Sequence, residues 1–195
     1  MVQVVTTVRP AVPADAPGIC AIYAPIVVAT HISFEVDPPT EAELRRRMEA
    51  APIPWLVGES GGEVVGFASA APFRERAAYS RTAEMSIYVA ESVRRRGLGR
   101  GLGEALLGRL RAGGYRSAVG VVALPNAASE GLLRALGFRP AGLLSEAGYK
   151  LGRWWDVQLW QCVLRRPNGE LEQSHGGPER GGRDDRLEDP PPAAQ

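Results

Sequence analysis

The chain has 195 residues, 45% of them hydrophobic and 23% charged, with a formal net charge of +1. At roughly 150 residues per domain this favours one domain with an appendage, and the composition excludes collagen-like, fibrous and wholly disordered chains. The longest apolar run, Ile19 to Ala29, has 11 residues and contains Pro25, whereas a bilayer span needs about 20.

Met1 to Pro10 has neither the basic nor the apolar region of a signal peptide, so the expected location is cytoplasmic, with no membrane partner. Cys20 and Cys162 form no C-x-x-C, and His31 and His175 are equally isolated, so neither a disulfide framework nor a metal site is expected. Of the 23 basic residues only Lys150 is lysine. That skew reads as GC-rich codon usage, and no aromatic stacking platform accompanies the arginines, so nucleic acid is not an expected partner.

In chain order, Ile19, Ile22, Tyr23, Ile26 and Val27 follow Asp15 at helical spacing, which predicts an amphipathic first helix with Asp15 as its N-cap. Thr40 and Glu43 have the spacing of a capping box ahead of Leu44 and Met48, predicting a second, short helix. Trp55 to Glu59 and Glu63 to Ala70 read as a strand pair turned by Ser60, Gly61 and Gly62. Ala83, Met85, Ile87 and Val89 alternate with Glu84, Ser86 and Tyr88, the period of another strand.

A long helix is predicted from Leu98 to Ala112, stopped by Gly113 and Gly114. Then come a β-branched strand from Ser117 to Val122 and a helix from Ser129 to Leu136 ended by Gly137. Last is a strand pair, Leu143 to Tyr149 and Trp155 to Leu164, joined through Gly152. The expected fold is a mixed α/β sheet in a single domain over residues 1–167. Residues 168–195 carry 5 Gly, 4 Pro and a net charge of −4, with Leu171 and Leu187 their only large aliphatics. This tail is expected to be disordered, because it cannot bury enough apolar area to offset ordering. The remainder is left at +5, which suits a small anionic ligand.

The most informative segment, Arg94-Arg95-Arg96-Gly97-Leu98-Gly99-Arg100-Gly101, lies between a predicted strand and a long helix. Glycines let a backbone approach an anion, and the free N–H groups at a helix start bind phosphate oxygens. It is neither a Walker loop, for want of Gly-Lys-Ser/Thr, nor a dinucleotide fingerprint, which would follow the first strand of a βαβ unit.

The spacing R-x-x-G-x-G after a strand, then Asn126 after the next strand, then a helix ending in Leu136-Gly137-Phe138, resembles the GNAT superfamily of acetyl-CoA-dependent N-acetyltransferases. Arg76-Ala77-Ala78-Tyr79, Thr82 to Val89, Leu124-Pro125-Asn126 and Trp154-Trp155-Asp156-Val157 are similar to its phosphinothricin and methionine sulfoximine acetyltransferase branch. The resemblance spans about Val8 to Leu164.

It implies a sheet that splays after the strand bearing Glu84, with acetyl-CoA in the opening. Ile87, Tyr88 and Val89 would hold the pantetheine and acetyl group, Arg95, Arg96, Gly97, Leu98, Gly99 and Arg100 the pyrophosphate, and Asn126 would lie at the mouth. Glu84 is the implied general base, acting directly or through water on an amine that is mostly ammonium at neutral pH. Arg76 and Tyr79 are expected to hold a substrate carboxylate, with Phe34 and Glu35 as a pocket lid. The branch also implies a homodimer.

Many members carry Tyr in the last helix as the acid for the leaving thiolate, and this branch often has His, whereas the matching residue here is Leu133. Acetylation of another amine and a non-catalytic acyl-CoA-binding module are the alternatives that share these residues.

Overall fold

The computed structural model describes residues 6–164 of the chain. The mixed α/β fold expected from the sequence is present as one seven-stranded sheet in the order β1-β2-β3-β4-β5-β7-β6. The strands are β1 (Thr6–Pro10), β2 (Leu56–Ser60), β3 (Glu63–Pro72), β4 (Thr82–Val89), β5 (Ser117–Ala123), β6 (Arg139–Lys150) and β7 (Arg153–Val163). All neighbours are antiparallel except β4 and β5. The predicted tail lies outside the described residues.

Four helices cover the sheet: α1 (Ala16–Ala29), α2 (Glu41–Ala50), α3 (Leu98–Ala112) and α4 (Ala127–Ala135). On one face, α1 and α2 close a cluster around Ile19, Tyr23, Leu44 and Phe67. On the other, Leu102, Leu106 and Leu110 of α3 and Leu133 of α4 pack with Met85, Ala118 and Trp160. Among the described residues, no helix is long and apolar enough to cross a membrane.

Asp15 does not cap α1 with its side chain. Its carboxylate is taken by Arg9, at 2.8 Å to both oxygens, and by the Val12 N–H at 2.8 Å. A charge-assisted fork outcompetes a neutral amide for the same lone pairs. Thr40 does cap α2, its hydroxyl accepting from Glu43 N–H at 3.2 Å, but the reciprocal half of the capping box is absent. The Glu43 carboxylate pairs with Arg46 and Arg47 instead.

Gly61 and Gly62 turn β2 into β3 with φ of 62° and 84°, the left-handed pair that a two-residue hairpin of native twist requires. Strand β1 had no signal in the alternation; it pairs with β2 along its length. The helix α4 begins earlier than its apolar pattern suggests, because Asn126 Oδ1 accepts from Ser129 N–H at 3.1 Å and caps it. It ends as expected at Gly137 (φ 85°), with Phe138 N–H donating to Leu133 O at 3.0 Å.

The feature that positions the site is the short parallel pairing of β4 with β5, which joins only Thr82–Glu84 to Ser117–Val119. Beyond Glu84, β4 stays with β3 while β5 stays with β7. In the resulting gap, Leu133 lies so close over Gly120 that a methyl group there would meet its Cδ1 at 2.9 Å.

Candidate active site

A narrow cavity of about 60 Å³ occupies the gap. Its walls include Met85 to Tyr88 of β4, Gly120 to Val122 of β5 and Asn126, Ser129 and Leu133 around α4. The edge of β4 that faces it is unpaired beyond Glu84, so its backbone offers strand-like hydrogen bonding to an amide chain.

The Gly-rich turn lies beyond the end of β4. Gly97 stands at the N-cap of α3 with φ 85°, and no side chain caps the helix, so the first-turn N–H groups and the positive end of the helix dipole are open to an anion. Arg95 is itself left-handed at φ 63°. Arg100 is drawn back along the helix by Glu104 at 2.8 Å, whereas Arg95 and Arg96 have no acidic partner within salt-bridge distance among the described residues. Leu98 is buried and Gly99 faces Leu132 and Val89. The geometry thus gives backbone N–H groups and two free guanidinium groups at one end of the slot, which fits a pyrophosphate.

Glu84 is half-buried where the two strands last pair, opposite Ala71 and Val119. It shares a face of β4 with Ser86 and Tyr88, which pair with Ser69 and Phe67 of β3. Burial pushes its carboxyl above the ordinary glutamate range, and the nearby Arg74 guanidinium partly opposes this. Glu84 lines neither this slot nor the cavity beneath α2; it stands two residues before Ser86, about 7 Å along the strand.

Ser86 and Tyr88 line both the slot and a second cavity of about 390 Å³ between α2 and the sheet. Glu35 and Arg47 stand in its wall. Arg47 grips Glu35 with two nitrogens at 2.8 and 3.3 Å and Glu43 with a third at 2.7 Å. Tyr23 donates to Glu35 at 3.1 Å, so its 2.7 Å contact with Ser33 has the serine hydroxyl as donor.

The loop that presents Glu35 is clamped from the far edge of the sheet. Lys150 is buried and its ammonium donates to Val27 O and Ser33 O, each at 2.6 Å. Desolvation pulls this amine below the usual lysine range, opposed by the Glu35 carboxylate. His31 stacks on Trp155 at 3.9 Å, with Arg153 over a Trp155 ring at 3.7 Å, and its Nε2 lies 3.1 Å from Pro125 O beside Asn126. Phe34 rests on Gly148, where a methyl group would collide with its ring.

Arg76 and Tyr79 sit on the exposed connection between β3 and β4. Tyr79 packs edge-on against Phe73 at 5.8 Å, and neither residue is in the wall of the two cavities.

The sequence reading missed Arg47, Arg74 and Lys150. Arg47 follows Leu44 at helical spacing, a signal for the inward face of α2. Lys150 was visible only as the chain's single lysine.

The sequence profile of the acetyltransferase (GNAT) family matches residues 24–138. Phosphinothricin N-acetyltransferase of Streptomyces viridochromogenes is 40% identical over 162 residues, 82% of this chain and 88% of its own. L-methionine sulfoximine/L-methionine sulfone acetyltransferase of Pseudomonas paraeruginosa is 38% identical over 163 residues, 81% of this chain and 94% of its own. Among solved structures, a phosphinothricin acetyltransferase from Sinorhizobium meliloti in complex with acetyl-CoA superposes with a TM-score of 0.78 at 35% identity, covering 87% of this chain and 97% of that one.

Proposed function

The chain belongs to the acetyltransferase (GNAT) family, and from that premise we propose that it transfers acetyl from acetyl-CoA to the α-amino group of a small amino acid of the phosphinothricin or methionine sulfoximine type. The observation that carries the reading is the junction of two cavities at Ser86 and Tyr88. A donor in the slot and an acceptor beneath α2 meet across one strand, so direct attack in a ternary complex needs no acyl-enzyme.

The thioester supplies an activated acetyl group, and the rest is work for this chain's residues. The free edge of β4 at Ile87, Tyr88 and Val89 binds the pantetheine arm, and a backbone N–H there steadies charge on the reacting carbonyl oxygen. Arg95 to Arg100 hold the pyrophosphate, and Asn126 stands at the mouth of the slot.

Glu84 takes the ammonium proton, through a water that spans the step to Ser86. Burial supports this role, since a carboxyl raised above its ordinary range is a better base near neutrality. Phe34 and Glu35 form the lid, and Arg76 and Tyr79 approach the acceptor carboxylate from the β3–β4 connection. Leu133 leaves the leaving thiolate without an acid on α4. A thiol with a pKa of about 8.5 leaves tolerably without one.

The working form is a homodimer in the cytoplasm, with residues 1–167 as the catalytic domain. The test is thiol release from acetyl-CoA with methionine sulfone, methionine sulfoximine, phosphinothricin and a matched amine lacking the carboxyl group. Intersecting initial-velocity lines with the amino acids, and little turnover of the bare amine, are expected. Parallel lines, or equal rates on the bare amine, refute the reading.

A further inference from the structure

The cavity beneath α2 has walls that discriminate between two kinds of side chain. Its floor is aromatic: Trp55 stacks on Phe67 at 5.8 Å, Phe67 on Tyr88 at 5.2 Å, and Tyr88 leans on Tyr23 at 4.8 Å. Ser69 and Ser86, directly opposed across β3 and β4, supply hydroxyl donors. Arg47 is the one cation among the described lining residues, and both Glu35 and Glu43 already engage it. Glu35 and Glu43 balance Arg47 and the exposed Arg46, so the network leaves no net positive charge for a further anion.

A phosphinate brings a full negative charge, which is costly to desolvate without a free cation. A methyl sulfone or sulfoximine has a similar tetrahedral outline and no net charge. Its polar atoms accept from hydroxyls, and its terminal methyl group packs against the aromatic rings.

We propose that this cavity receives the acceptor's side chain and selects an uncharged methyl sulfone or sulfoximine terminus over a phosphinate anion. The inference rests on the reading of the chain as an amino-acid N-acetyltransferase. It adds Trp55, Phe67, Ser69 and the neutralised Arg47 as determinants of specificity.

The experiment compares kcat/KM for L-methionine sulfone and L-phosphinothricin in the full chain and in Ser69→Lys. Wild type is expected to favour the sulfone by about tenfold or more. Ser69 is half-buried, and a lysine there adds a cation to the wall, so the ratio should move toward the phosphinate by about tenfold or more, with the acetyl-CoA KM unchanged. If thermal melting shows that Ser69→Lys does not fold, Glu35→Gln, which removes one countercharge from Arg47, reads the same ratio. A wild-type preference for phosphinothricin, or a ratio that the folded variant leaves in place, overturns the inference while amino-acid acetylation stands. Failure to turn over either acceptor overturns both.

Discussion

Replacing Lys150 by methionine tests whether the clamp on the lid loop matters to function. The change deletes two 2.6 Å bonds and leaves Val27 O and Ser33 O without their partner. A buried acceptor left unmade costs about 1–3 kcal/mol. Against this stands the removal of a desolvated ammonium, a penalty of several kcal/mol for an ion taken from water. Methionine also keeps most of the stem's packing. With both carbonyls orphaned, the net loss is expected at about 1–3 kcal/mol, or a fall in Tm of about 2–12 °C at this size.

The pH dependence has a fixed sign. Lys150 is held below its ordinary range in the folded state, so the unfolded chain binds more protons between the two pKa values. Wild-type stability should therefore gain a rising component toward pH 10 that Lys150→Met lacks. In kinetics, the loop carries Glu35 into the wall of the cavity beneath α2, so the acceptor KM should rise about tenfold while that for acetyl-CoA holds. Melts across pH and steady-state assays on both substrates decide it. A higher Tm with unchanged acceptor KM would refute the reasoning and leave Tyr23, His31 and Phe34 as sufficient anchors.

Glu84→Gln should lower turnover by about 10²- to 10⁴-fold and raise Tm at neutral pH, because a carboxyl raised by burial costs stability once ionised. The acid limb of wild-type kcat/KM should lie above the usual glutamate range, and Arg74→Ala should move it further up. Wild-type rates in the glutamine variant would place the base elsewhere. Arg9 holds the Asp15 carboxyl below its ordinary range, so this pair stabilises above about pH 4 and the contribution is lost as pH falls through the folded-state pKa. Asp15→Asn should cost about 1–3 kcal/mol at pH 7 and flatten the acid side of the stability curve, as followed by urea unfolding.

The parts of the fold that the sequence made legible are those whose signal is local. The glycine stops at Gly113 and Gly137, the Gly61-Gly62 turn and the alternation from Ala83 to Val89 each depend on a few adjacent residues, and each is found where expected. The errors have one cause, competition from an arginine outside the capping motif that offers a charged donor. Asp15 has the chemistry of a cap, but Arg9 arrives with β1, a strand defined only by its pairing with β2. Glu43 has the chemistry of a capping box, but Arg47 offers a charged donor one turn away.

The site divides the same way. The Gly-rich turn ahead of α3 was legible because its backbone conformation is written in glycines. The acceptor cavity was not, since Arg47, Trp55 and Phe67 come from α2, the segment after it and β3, and only the sheet brings them together.

In the proposed reaction one short segment, strand β4, carries the base, the acceptor wall and the donor-binding edge. Ala83 and Met85 are buried in the α3 core, so that side of the strand is rigid. The opposite side presents Glu84, Ser86 and Tyr88, because side chains alternate along a strand, and the last two line the cavity beneath α2. The third direction, the backbone edge, is released when β5 turns away after Val119. The proposed base, acceptor wall and donor-binding edge are therefore fixed to a single backbone, and their spacing follows from the 3.3 Å rise of a strand. The splay follows from packing rather than from β4 itself. Leu133 is seated over Gly120 in the gap, as an apolar wedge against β5. In the proposed reaction Leu133 offers no proton to the departing thiolate, so that step rests on the acidity of the thiol itself.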